Sequence, residues 1–307
     1  MVLAIALLSF FAGCQPETNK EKKVKKTVDI PESNKTLYQS ENYTSEGMVA
    51  HAYAAATDQH GILHVGNYKQ KGQIAAIMDT VSDEVKATLS EEGLIHALVF
   101  SHENEMVAAT EHTLHHFNQR VAGSPVTFTM LPEEVRIQDM TYASSGNLYV
   151  LVHDEEGESQ IYHVTSEGKA DLWATLPAHY TIMKWSDMHK GLFLADTADG
   201  TIALAKVENE EISDNSKWVS LPSSTPGGLA VDSLGGVFVT IKKEGKVVRY
   251  DKKGKEDRVI ELNDTNPGAI VMGGGKGRDC FVLTEGSRRV IRFVVNAPGQ
   301  EWVRANY

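Results

Sequence analysis

The sequence predicts an all-β protein: one six-bladed β-propeller of four-stranded antiparallel blades over residues 41–307. Three observations predict it. Short apolar runs beginning at Leu63, Met106, Leu148, Leu192, Val237 and Cys280 recur every 42–45 residues, which is the length of one blade. Each run has an apolar strand before it and another after it. Most also follow a turn signal, such as His60-Gly61, Ser145-Gly146-Asn147 or Gly235-Gly236.

The elements follow in order. The strands that precede the runs are expected at Gly47–Val49, Ile95–Val99, Met140–Tyr142, Ile182–Trp185, Gly228–Val231 and Ala269–Met272. Those that follow are expected at Gln73–Ile77, Thr113–Phe117, Gln160–Val164, Thr201–Leu204, Lys246–Tyr250 and Val290–Phe293. Gln73–Ile77 also fits helical spacing, through Ile74, Ile77, Met78, Val81 and Val85. Its register with five other copies makes it a strand. A weaker fourth strand is clearest at Ala170–Trp173 and Arg258–Leu262. Tyr38–Ser40 or Trp302–Arg304 is expected to close the ring, which removes open sheet edges. Cys280 lies in a strand of the last blade and reads as a small buried apolar residue.

Residues 1–12 are apolar except for Ser9 and are too short to span a bilayer. They suit the core of a signal peptide. The segment ends Phe11-Ala12-Gly13-Cys14, which resembles a bacterial lipobox and implies cleavage before Cys14 and lipidation of its thiol. Residues 15–40 read as a flexible polar tether. The expected location is therefore the bacterial cell envelope, outside the cytoplasm and anchored to a membrane by lipid.

The net charge of -11 makes a nucleic-acid backbone an unsuitable partner. Residues 1–40 carry six Lys against four Asp/Glu, so the body is more acidic than the whole chain. With two cysteines, one of them Cys14, a disulfide framework is not expected. The body is expected to be a monomer.

The run Pro226-Gly227-Gly228-Leu229-Ala230-Val231-Asp232, continuing to Val239, resembles a blade of the senescence-marker-protein/gluconolactonase/luciferin-regenerating-enzyme family. Met272-Gly273-Gly274-Gly275 through Thr284 is similar to that family's last blade. Glu46-Gly47, Gln138-Asp139 and Trp185-Ser186 fall where it has comparable pairs. The resemblance implies a six-bladed propeller that hydrolyses lactones with one divalent cation, such as calcium or zinc, held by oxygen ligands in the channel. Carried over by position, the ligand set is Glu46, then Thr181 for an Asn, Gly227 for an Asp and Gln138 for a further Asn. Only Glu46 is a carboxylate, with Asp139 beside the set. No confident cofactor follows from so poor a set.

The functional surface is expected at the channel mouth formed by the starts of the inner strands. Its proposed members are Glu46, His96, Gln138, Asp139, Thr181 and Lys184. His51 also lies on an expected inner strand. His112, His115 and His116 cannot all converge, because strand neighbours face opposite ways. The acidic stretches at 154–158 and 208–211 read as hairpin tips, and Gly273–Gly277 as a blade turn without the ending of a phosphate loop. No Gly-x-Ser-x-Gly is present to support a serine hydrolase. Two functions stand: a module that binds a small molecule or an envelope protein at an eroded metal site, and a metal-dependent lactone hydrolase rearranged around Glu46.

Overall fold

The computed structural model describes residues 37–79, 83–89, 93–117, 125–221 and 224–307. Cys14 and most of the expected tether lie outside the described residues. Six four-stranded antiparallel sheets follow one another along the chain. After β1 (Glu41–Asn42), blade one comprises β2 (Ala55–Thr57), β3 (Leu63–Gly66), β4 (Gln73–Ile77) and β5 (Asp83–Thr88). Blade two comprises β6 (Ala97–Phe100), β7 (Met106–Thr110), β8 (Thr113–Phe117) and β9 (Val126–Met130). Blade three runs β10 (Arg136–Tyr142), β11 (Leu148–His153), β12 (Ser159–Val164), β13 (Ala170–Leu176). Blade four runs β14 (Tyr180–Ser186), β15 (Gly191–Asp196), β16 (Thr201–Glu208), β17 (Glu211–Ser220). Blade five runs β18 (Pro226–Val231), β19 (Val237–Ile241), β20 (Lys246–Tyr250), β21 (Glu256–Glu261). Blade six combines β22 (Pro267–Gly273), β23 (Asp279–Thr284) and β24 (Val290–Val294) with β1 as its outer strand.

Two expectations need correction here. The inner strand of blade one is Ala55–Thr57, whereas Val49 makes only an isolated bridge to Tyr68. Ring closure comes from Glu41–Asn42 on Arg292 and Ile291, with the Tyr38 N–H donating to the Val294 carbonyl at 2.8 Å. The Ser40 hydroxyl donates to the Glu261 carbonyl of blade five. Trp302–Arg304 is helical, inside α1 (Gln300–Asn306).

Local chemistry explains the repeat. The first hairpin of a blade often turns on an acidic or hydroxyl side chain that caps nearby N–H groups. Asp58 Oδ1 accepts from His60 and Ile62, Ser101 Oγ from Glu103 and Glu105, and Asp232 Oδ1 from Leu234 and Gly236. Gly61 and Gly235 complete two of these turns at φ values of +79° and +80°. The core lies between blades, where facing sheets interdigitate. One cluster joins Val107 and Leu114 of blade two to Met140 and Val150 of blade three. Cys280 is buried in another, between Phe238 and Phe293, and burial pushes its thiol well above its ordinary value.

Helix α1 closes one end of the channel. Gln300 donates to the Trp185 carbonyl and accepts from the Asp187 N–H at 3.0 Å. Arg304 donates to the Tyr142 carbonyl at 2.9 Å and pairs with Asp187 at 3.0 Å. Asn306 reaches the Gln59 carbonyl of blade one at 2.9 Å. Trp302 lies over Gly277, where an added Cβ would collide with the indole ring. All these partners sit where inner strands end, so the opposite end, where they begin, forms the open mouth.

Candidate functional site at the channel mouth

The mouth is shaped by a repeated irregularity. Inner strands β10, β14, β18 and β22 each shift register near their starts, between Ile137 and Asp139, Tyr180 and Ile182, Pro226 and Gly228, and Pro267 and Ile270. A bulge leaves a residue outside the ladder and re-aims it. Here those residues are Gln138, Thr181, Gly227 and the pair Gly268–Ala269. All but Gly268 line a cavity of about 440 Å³, with Tyr53 and His96 contributed by the blades opposite.

The bulges also lock neighbouring blades together. The Asp139 carboxylate accepts from the Met140 N–H at 2.8 Å and, across to blade four, from the Met183 N–H at 2.9 Å. Burial pushes this carboxyl above its ordinary range, against the pull of Lys184 and both N–H groups; Glu301 adds to the rise. The Thr141 hydroxyl accepts from the Trp185 N–H at 3.1 Å. Thr240 donates to the Gly268 carbonyl at 2.8 Å, and Ala269 donates to Ala52 at the same distance.

Gly227 stands at the tightest point. A Cβ built there would collide with the Pro267 carbonyl and come to 2.9 Å from Thr240 Oγ1 and 3.2 Å from Lys242 Cγ. Lys242, just beyond β19, therefore leans over the start of β18 and lines the cavity. Lys184 projects from β14 and borders both the mouth and the space above α1. Thr181 donates to Thr197 Oγ1 at 3.2 Å, and Gln138 donates to the Arg136 carbonyl at 3.2 Å.

The tautomer of His96 is open, but burial holds its pKa below the ordinary 6.5, with Glu111 pulling the other way. Burial, with Glu285 beside it, raises the Tyr53 hydroxyl above 10.0. His51 stacks on Tyr53 at 5.8 Å between ring centroids.

Five of the six expected residues line this one cavity: His96, Gln138, Asp139, Thr181 and Lys184. Glu46 does not. Its side chain is 73% exposed and pairs with Arg289 at 3.3 Å, on the hairpin between β23 and β24. Because β2 starts at Ala55, the blade-one contribution to the mouth is Tyr53–Ala55. Lys242 and Thr197 were missed because each follows the second strand of its blade, whereas only inner strands were considered. The antiparallel hairpin returns that second strand to the same mouth, as in the pairing of Pro226 with Ile241. Among the described residues no group of three or more His, Cys, Asp or Glu side chains is placed to hold a metal ion. His115 and His116 diverge, to Thr110 at 3.2 Å and Glu105 at 3.1 Å.

The architecture defines a class, that of six-bladed propellers with four-stranded antiparallel blades. It matches solved structures closely in shape. A calcium-binding regucalcin from Agrobacterium tumefaciens superposes with a TM-score of 0.71 at 14% identity, over 87% of this chain and 97% of that one. A gluconolactonase from Xanthomonas campestris gives 0.67 at 12% identity, over 82% and 88%. A luciferin-regenerating enzyme gives 0.67 at 12%, over 83% and 94%. No curated protein matches by sequence. The sequence profile described as SMP-30/Gluconolactonase/LRE-like region matches residues 29–286, and the chain belongs to that family.

Proposed function

We propose that this protein is a small-molecule-binding propeller, held at a bacterial cell envelope by lipid on Cys14, in which the metal-dependent lactone chemistry of its relatives has been lost. The observation that carries this reading is Gly227. It occupies the position of the family's Asp ligand, and the backbone around it leaves no room for even a Cβ. The other donors are equally unsuited to a divalent cation, which needs several convergent oxygens. Glu46 is engaged with Arg289 outside the mouth, and both Asp139 oxygens accept backbone N–H groups. Lys184 beside Asp139 would repel a cation. The calcium named for the Agrobacterium relative is therefore not carried over.

What the mouth retains is a concave, mixed polar and apolar cavity within the ordinary size range of ligand pockets, about 300–1,000 Å³. A small molecule suits it better than a protein surface.

Three measurements test the reading. Metal content of the purified protein should be substoichiometric, and lactone hydrolysis should stay at background with added Ca²⁺, Zn²⁺ or Mn²⁺. Replacing Cys14 by Ala should move the protein from membrane to soluble fraction. A stoichiometric metal together with metal-dependent turnover would overturn the loss of chemistry, and unchanged membrane association would overturn the anchor.

A further inference from the structure

The charge of the mouth is opposite to what a cation site requires. Two lysines, Lys184 and Lys242, line it on blades four and five with one lining carboxylate, Asp139, while Glu285 and Glu111 act on Tyr53 and His96 of the opposite blades. Neither lysine belongs to an ion pair among the described residues; the paired lysines are Lys69, Lys86, Lys169 and Lys246. This concentration of positive charge does not follow from composition, because the whole chain carries -11. We propose that the channel mouth binds a small organic carboxylate, with Lys184 and Lys242 as its cationic contacts and an apolar, hydroxyl-bearing body lying against the rest of the wall. The proposal rests on the reading of the mouth as a small-molecule site.

The geometry distributes these roles. Lys184 comes from β14 on blade four and reaches the deeper part of the mouth, since it also borders the space above α1. Lys242 approaches from the rim of blade five, over Gly227. Gly227 favours that approach because it presents no side chain beneath Lys242. Across the mouth, Ala54, Ala55, Ile270 and Val271 offer an apolar wall. Thr181, Thr197 and Gln138 supply hydroxyl and amide groups on the lysine side.

Asp139 offsets the lysines only in part. Both its oxygens are engaged by backbone N–H groups, so it acts chiefly as a brace between blades three and four. The same residue argues for a monoanion. A phosphate dianion would face Asp139 beside Lys184 and Glu301 beneath it, with no arginine lining the mouth to take it bidentately. His96, held towards its neutral form by burial, adds a hydrogen-bonding group rather than a further charge.

The test uses the full chain in detergent. Thermal shift and calorimetry would be run with a panel of linear hydroxycarboxylates of about four to eight carbons, their neutral diol counterparts, inorganic phosphate and calcium chloride. Ligands that bind only the native state raise the melting temperature with concentration. At least one carboxylate should stabilise the protein where its diol does not, with affinity falling as salt rises. Lys184→Met and Lys242→Met should each weaken binding by about tenfold or more. Lys184→Arg and Lys242→Arg should retain most of it, which separates loss of charge from loss of fold. Three results would overturn the inference: no carboxylate surpassing its diol, phosphate binding in preference to carboxylates, or undiminished binding in both Met variants. Mass spectrometry of molecules released on denaturation separates the two levels. A neutral co-purifying molecule would sink the carboxylate inference and leave the binding reading standing, whereas stoichiometric calcium with lactone turnover would sink both.

Discussion

Asp139 joins two blades with one side chain. Its oxygens satisfy the Met140 and Met183 N–H groups, and the second of these sits across the blade boundary. Removing a buried acceptor leaves its donors unsatisfied, at about 1–3 kcal/mol. Asp139→Ala should therefore lower unfolding free energy by about that amount in urea titrations; an unchanged midpoint would mean that water replaces the brace at no cost. Asp232 is the larger case. Its side chain is fully buried, caps the hairpin between β18 and β19, and pairs with Arg249 at 2.7 Å. Arg249 is itself 10% exposed and keeps only the more exposed Asp257 if Asp232 is lost. Breaking one side of a buried pair costs about 3–5 kcal/mol. Asp232→Ala should reach that range, several times the effect of Asp257→Ala, and near-equal effects of the two variants would refute this assignment.

At the scale of elements, α1 is the informative one. Seven residues long, it is too short to be stable alone and is held by its partners. Gln300, Arg304 and Asn306 bond to the ends of inner strands or their turns in blades four, three and one. Ending the chain at Gly299 should cost on the order of 2–4 kcal/mol, from lost burial of Trp302 and lost hydrogen bonds. Hydrogen exchange should rise around Tyr142 and Asp187 while the outer strands stay protected. Uniformly raised exchange would instead mean that α1 holds the whole ring. Trp302–Arg304 is apolar enough to have suggested a closing strand. Its helical state depends on the channel end it covers, a contact that no local pattern displays.

For the whole molecule, pH should act through buried histidines. Burial, partial for His96 and His115, holds His96, His115 and His153 below the ordinary 6.5. The unfolded chain then binds more protons than the folded one as pH falls through about 6.5, so stability drops there and levels off only below the folded-state values. Asp139 acts in the opposite sense, since its raised pKa favours the folded state as pH falls. Three histidines outnumber one carboxyl, so the melting temperature should decline from pH 7 to 5. A flat or rising profile over that interval would mean that these rings remain hydrated.

The number of blades, the place of most strands and the end of the channel that stays open are legible in the order of the residues alone. Each blade repeats one apolar pattern over 42–45 residues, and that information is local. It also led to His96, Gln138, Asp139, Thr181 and Lys184, because inner strands must converge on one axis. Which residues of blade one reach the mouth depends instead on packing against blade six. Eight residues separate Glu46 from β2, and their path through the bridge of Val49 to Tyr68 carries Glu46 outward to Arg289. Likewise, no pattern in the chain reveals that Gly227 faces the Pro267 carbonyl of the next blade. Those facts belong to contacts between blades some forty residues apart, and the charge of the mouth depends on them.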